Sequence, residues 1–197
     1  MVELTRRQAI EDVASDLFRE HGYAGTSVRD IARALSVQGA SLYAHVTSKE
    51  DVLWAIVDRA ATRFETAADR AEAEAEAHHP GDPTEAIAAL VEAHIDVLTA
   101  DVDEASVFMN EWRSLGEQRR KQILDRRDAY QARFRRHVEA GIAVGAFMLT
   151  DAGIATSAIL SAINGVAAWY DPDGRLTADR IADHLVDLVL RMLEGSR

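Results

Sequence analysis

Residues 26–53 read TSVRDIARALSVQGASLYAHVTSKEDVL, two short helical patterns joined by a tight break. Ser27 stands three residues before Asp30. That is the spacing of a capping box, in which a hydroxyl and a carboxylate each satisfy an orphan backbone amide. A helix is therefore expected over 27–34, with Val28, Ile31, Ala32 and Leu35 on its inner face. A tight break follows at Leu35-Ser36-Val37, and a second segment runs from Gln38 to Ala44. So short a helix does not stand alone in water. It needs helices on either side, which is how a helix-turn-helix presents its second helix to the major groove of DNA. Val37 and Leu42 pack this segment inward. Gln38, Gly39, Ala40, Ser41, Tyr43 and His45 point outward, without the Leu or Ile of a buried face. Ser48 before Lys49-Glu50-Asp51 is a second N-cap, with acids in the first turn.

Upstream, Ala9, Ile10, Val13, Leu17 and Phe18 recur at three- and four-residue steps until Gly22 stops the helix. The spacing predicts about nine helices in all, over 5–21, 27–34, 38–44, 48–77, 83–100, 103–115, 117–144, 151–169 and 177–194. Pro80, Pro83 and Pro172 fall in breaks between them. No sustained period-two alternation marks a strand, so the fold class is all-α. Residues 1–50 read as a head carrying the helix-turn-helix, at about 27–46, and residues 51–197 as a body.

Over the 197 residues, 22 Lys plus Arg face 33 Asp plus Glu, a net charge of −11. That total argues against a nucleic-acid partner, whose binding surface should be basic. The distribution argues otherwise. Residues 1–50 hold six basic and seven acidic residues, so almost all the excess acid lies in the body. There are no cysteines, hence no disulfide framework, thiolate metal site or cysteine nucleophile. No apolar run approaches the length of a membrane span, and Met1 to Ile10 lack the apolar core of a signal peptide. A cytoplasmic protein without membrane contact is expected. The tract Ala71–Ala77, AEAEAEA, reads as the solvated end of a long helix.

The first 55 residues resemble the DNA-binding head of the TetR family of bacterial transcriptional regulators. The matching positions are Phe18, Gly22-Tyr23, Thr26-Ser27, Asp30-Ile31-Ala32, Leu42-Tyr43, His45-Val46, Ser48-Lys49-Glu50 and Leu53. Leu35-Ser36 departs from the Ala-Gly usual at the turn, Ala40 from a common Gly, and Gly39 is unusual at a base-facing position. Thr26, Ser27, Tyr43 and Lys49 are placed to bond phosphates. Gln38 and Ser41 suit base edges, Arg29 either phosphate or guanine, and Ala40 a thymine methyl. His45 suits a phosphate contact or a packed position equally.

TetR-like chains pair through their last two helices, so the resemblance implies a homodimer through 151–169 and 177–194. Ile154, Ala155, Ala158, Ile159, Ala162, Ile163, Val166 and Ala167 form one apolar set, and Ile181, Leu185, Leu188, Val189, Met192 and Leu193 the other. The middle helices should hold a small-molecule effector. Phe108, Met109 and Trp112 share a helix face, flanked by Glu111 and Arg113. The 113–136 stretch carries nine Lys or Arg, which fits a solvated face or a counter-charge for an anionic ligand. Asn164, in an apolar helix before Trp169-Tyr170, needs a partner: ligand, dimer mate or backbone carbonyl.

The body is also similar to a TetR subgroup that represses fatty-acid, phenylacetate and steroid-ring breakdown. The similarity runs from Glu111-Trp112-Arg113 through Arg127-Asp128, Tyr130, Phe134, Gly141 and Gly145 to Phe147, then Trp169-Tyr170, Pro172, Gly174 and Leu176-Thr177. It implies an acyl-CoA effector. Phe108, Met109, Glu111, Trp112, Arg113, Arg127, Tyr130, Asn164 and Trp169 are the ligand candidates. The expected function is a repressor that leaves a pseudo-palindromic operator when the effector binds. The alternatives are a regulator of drug efflux answering hydrophobic drugs, and a helical ligand-binding or scaffold protein that does not bind DNA. Enzymatic readings fail. There is no Gly-rich phosphate loop or Gly-x-Ser-x-Gly, no cofactor is implied, and His94, His137 and His184 form no metal-ligand pair.

Overall fold

The computed structural model of the chain describes residues 6–148 and 151–194, with the backbone alone at Ala40. Among the described residues there are nine α-helices and no strand. They are α1 Arg6–Gly25, α2 Val28–Ala34, α3 Gly39–Leu42, α4 Lys49–His78, α5 Pro83–Ala100, α6 Val102–Asn110, α7 Glu117–Ala143, α8 Ala152–Asn164 and α9 Ala178–Glu194. The start at residue 5 read from the sequence lies outside the described residues. In α1 the backbone leaves the helix at Gly22, where φ is 73°, at the position where the sequence places the stop.

Three helices are shorter than their sequence pattern. The segment 103–115 divides into α6 and a 3-10 turn at Trp112–Ser114, and the Asn110 side-chain amide donates to the Ser106 carbonyl in the last turn of α6. Helix 151–169 gives way at Gly165, a poor helix former, to a 3-10 turn over Gly165–Ala168. The recognition segment keeps helical geometry over only four residues.

The chain divides into two compact units, Met1–Ala61 with Val102–Asp125 and Thr62–Asp101 with Arg126–Arg197. In the first, α2 and α6 each pack on α1. Ile10, Ala14, Phe18, Ile31, Leu42, Leu53 and Ile56 are buried there, along with Val107 and Phe108 of α6. Two buried acids, Glu11 of α1 and Glu104 of α6, meet one cation, Arg59 of α4. Buried carboxylates survive only when paired in this way, so the guanidinium ties three helices together.

In the second unit α5 packs against α8 and α9. The cations of α7 divide: Lys121, Arg135 and Arg136 are exposed, whereas Arg126 and Arg133 are partly buried against acids of α4. Arg126 holds Glu65 of α4 in a two-pronged pair at 2.7 Å, and Arg133 holds Asp69 and Glu72. Glu72 also accepts from Arg136 and His137. The alternating Ala71–Ala77 tract is therefore not simply solvated. Ala71 and Ala75 are buried, and the Glu72 side chain is only 17% exposed. The solvated reading overlooks that helical spacing puts Ala68, Ala71 and Ala75 on one face.

At the end of α7, Phe147 folds back over Gly141, where an added Cβ would lie 2.0 Å from its ring. The apolar residues of α8 and α9 divide between two faces. Ala155, Ile159, Ile163, Ile181, Val189 and Leu193 are buried, whereas Ile154, Ala158, Ala162 and Leu188 are exposed.

Two substitutions test these contacts. Ser36, between α2 and α3, has φ 54°, a left-handed conformation that strains an L side chain. Ser36→Gly is expected to raise unfolding stability by about 0.5–1 kcal/mol in a urea titration; equal or lower stability would contradict the strain. Burial works to raise the Glu72 pKa, but His137, Arg133 and Arg136 prevail and hold it below the usual range. A depressed folded pKa contributes stability above the unfolded pKa that is lost as pH falls through the folded value. Glu72→Ala should thus cost about 1–3 kcal/mol at pH 7 and progressively less towards pH 3. A pH-independent difference would exclude the charged pairing.

Candidate nucleic-acid interface and effector site

The helix-turn-helix is assembled from local caps. Ser27 Oγ accepts from the Asp30 amide, and the Asp30 carboxylate accepts from the Ser27 amide at 2.9 Å. The same hydroxyl donates to that carboxylate, whose pKa is lowered mainly by these Ser27 bonds. Ser48 Oγ accepts from the Asp51 amide and starts α4. Between these caps, Leu42 and Val46 are buried and anchor α3.

Most of the expected DNA-contacting residues lie at the surface. Arg29, Gln38, Ser41, Tyr43 and His45 are exposed, Tyr43 by 56%, and Gly39 is half-buried. Ala40 lies within α3, and its side chain is outside the described set. His45 follows α3 in the turn and is exposed rather than packed.

Three of the four expected phosphate ligands make hydrogen bonds within the protein. Thr26 is only 2% exposed, and its hydroxyl donates to the carbonyls of Gly22 and Leu17. It closes the end of α1 and is no surface donor. Ser27 is exposed, but its hydroxyl serves the capping box. The Lys49 ammonium donates to the carbonyls of Tyr23 and Thr26 at 2.7 and 2.8 Å and lies 4.0 Å from the Tyr23 ring centroid. Lys49 thus fastens the start of α4 to the end of α1. One of its three N–H groups remains for a phosphate.

The ligand candidates fall into two groups. Phe108, Met109, Glu111, Trp112 and Arg113 belong to the first unit. Phe108 and Trp112 are buried, Met109 and Glu111 half-buried, and Arg113 is exposed over the Trp112 ring at 4.5 Å. Arg127, Tyr130, Asn164 and Trp169 belong to the second unit, where Trp169 is 58% exposed at the surface. Of these, Tyr130 and Asn164 lie beside His94 of α5, and Arg127 acts on that ring through its charge.

His94 is 2% exposed. Its Nδ1 lies 3.1 Å from the Tyr130 hydroxyl, and the rings of Phe64 and Tyr130 flank it at 4.7 and 5.8 Å between centroids. Burial pushes its pKa down to about 3, and the Arg127 charge works in the same direction. Asn164 is near enough to favour the protonated ring, yet no protein group reaches hydrogen-bond geometry at Nε2. Burial likewise raises the Tyr130 pKa. At neutral pH the pair is uncharged. The sequence signal for His94 is faint. It is a lone histidine in the apolar pattern Leu90, Val91, Ile95, Leu98.

Residues 10–56 match the family model described as bacterial regulatory proteins, tetR family, and residues 80–193 match the tetracyclin repressor-like C-terminal domain. The second match alone spans more than half of the chain. The chain belongs to the TetR family of transcriptional regulators. As in that family, it is a DNA-binding regulator and not an enzyme.

Among solved structures, the TetR regulator PfmR of Thermus thermophilus is 32% identical, with a TM-score of 0.82 over 94% of this chain and 99% of that one. AibR, solved in complex with isovaleryl coenzyme A and operator DNA, is 26% identical with a TM-score of 0.82 over 98% of this chain and all of AibR. The transcriptional repressor KstR2 of Rhodococcus jostii is 26% identical over 192 residues, covering 94% of this chain and 89% of KstR2. These matches run through the body as well as the head.

The placement of Thr26 separates a packing role from DNA contact. Thr26→Val should lower stability by about 1 kcal/mol and leave the slope of log affinity against log salt unchanged in a fluorescence-anisotropy titration. A slope shallower by about one unit would return Thr26 to the phosphates.

Proposed function

We propose that the chain is a homodimeric repressor, acting in the cytoplasm, that a CoA thioester releases from a pseudo-palindromic operator. Residues 1–50 serve as the DNA-binding domain and residues 51–197 as the effector and dimerisation domain. The observation that carries this reading is the full-length likeness to AibR, a protein solved with both a CoA thioester and operator DNA. The likeness to KstR2, another repressor, agrees with it.

On DNA, Gln38 and Ser41 read base edges, Arg29 and Tyr43 hold the groove lip, and His45 and Lys49 approach the backbone. The exposed residues Ile154, Ala158, Ala162 and Leu188 of α8 and α9 supply the face that a second copy covers. Two heads then span half-sites about one helical turn apart. An effector that prefers a different separation of the heads lowers DNA affinity, and DNA lowers effector affinity by the same factor.

The test is binding to a palindromic fragment from the region upstream of the protein's own gene, titrated with isovaleryl-CoA and longer acyl-CoAs. Binding should be tight at low salt and fall steeply as salt rises. Gln38→Ala should weaken it about 5–100-fold, the worth of one base contact. An acyl-CoA should release the fragment. No binding at low salt would refute the regulator. Release by hydrophobic cations and not by acyl-CoAs would leave a drug-responsive regulator in its place.

A further inference from the structure

In the second unit a polar pair is packed among aromatic rings. Phe64 of α4, His94 of α5, Tyr130 and Phe134 of α7, and Asn164 at the end of α8 meet there. The contact with the Tyr130 hydroxyl bears on the histidine tautomer. The Tyr130 side chain is half-buried, and His94 Nδ1, at 3.1 Å, is placed to accept the proton of its hydroxyl. With Tyr130 donating to Nδ1, the neutral ring carries its own proton on Nε2. That N–H is buried and has no acceptor at hydrogen-bond geometry among the described residues. Native proteins rarely tolerate such a donor unless it has a task.

The neighbours say what would satisfy it. The ring is uncharged, so a full anion gains no ion pair from His94 itself. The wall of Phe64, Tyr130 and Phe134 favours an apolar skeleton. A carbonyl oxygen carried on such a skeleton meets both conditions. We propose that His94 Nε2–H, oriented by Tyr130, is the donor that recognises an effector carbonyl oxygen in the second unit. This rests on the reading of that unit as the effector domain. Two sources share the chemistry, the carbonyl of an acyl thioester and a ketone along the acyl chain. His94 thus contributes specificity, rejecting ligands that match the skeleton but lack the acceptor.

Calorimetric titration of the full-length dimer without DNA tests this, using hexanoyl-CoA, its thioether analogue S-hexyl-CoA, 5-oxohexanoyl-CoA, and cyclohexanone as a carbonyl compound without CoA. If the thioester carbonyl is read, hexanoyl-CoA binds about tenfold or more tightly than S-hexyl-CoA; if a ketone is read, 5-oxohexanoyl-CoA exceeds hexanoyl-CoA by a similar factor. His94→Phe should abolish whichever preference is seen, while His94→Gln, which keeps a donor, restores part of it. Tyr130→Phe, a milder change, should reduce the preference by freeing the tautomer. The wild-type comparison between ligands needs no variant to fold. Equal affinities for all the CoA compounds overturn the proposal, as does an undiminished preference in a folded His94→Phe. If only cyclohexanone binds, and His94→Phe loses it, the carbonyl donor stands and the CoA reading falls. If none of the four binds, both fall.

Discussion

Four residues do not hold a helix in water, so α3 exists only because its surroundings impose it. Each neighbouring contact constrains one degree of freedom. The Ser27–Asp30 box fixes where α2 begins, and Ser36 takes a left-handed conformation to turn the chain. Leu42 and Val46 bury the inner side of the segment. The Lys49 ammonium, bonded to the carbonyls of Tyr23 and Thr26, closes the other end. The outward side is thereby left to Gln38, Ser41, Tyr43 and His45, whose exposure is the complement of that anchoring. Lys49 thus serves the frame that holds α3 in place.

Charge is organised by the same logic of pairing. The excess acid of residues 51–197 does not lie wholly in solvent. Part of it faces the arginines of α7, with Glu65, Asp69 and Glu72 each matched to a guanidinium. Pairing hides charge at short range, but it leaves the net charge of −11 unchanged at long range. DNA therefore meets repulsion over most of the chain and near neutrality at residues 1–50. The electrostatic field limits non-specific adhesion without weakening the one surface meant for DNA.

What was legible in the sequence was local. The capping box, the Ser48 cap, the break at Gly22 and the apolar period of α1 each involve residues within a few positions, and each recurs in the structure. Long-range partners were not legible. Nothing near Glu72 announces Arg133, sixty-one residues away, so an alternating Ala-Glu tract passes for a solvated helix. Thr26 reads as a surface hydroxyl because its acceptors, Gly22 and Leu17, become acceptors only when α1 ends there. Arg127 and Tyr130 enter through the family resemblance and Asn164 through its type, whereas His94 reads only as an isolated histidine, since its surroundings depend on four helices meeting. Family resemblance filled part of this gap, because a motif over many positions carries the outcome of such contacts without naming them.

The retained polar pair in the second unit has a thermodynamic consequence for an effector domain. An apolar pocket distinguishes ligands weakly, since a methylene more or less changes affinity by only about 1–3 kcal/mol. A buried N–H without an acceptor adds a penalty that is present in the free protein and relieved only by a ligand of matching polarity. Discrimination then comes from what a wrong ligand fails to relieve. The same penalty lowers the stability of the unliganded state, so a matching effector stabilises the fold of the unit as it binds. A regulator must respond to one metabolite among many with similar hydrocarbon chains. For that task one unsatisfied donor among aromatic rings discriminates better than additional apolar surface, and the neutral His94–Tyr130 pair supplies it without burying an unpaired charge.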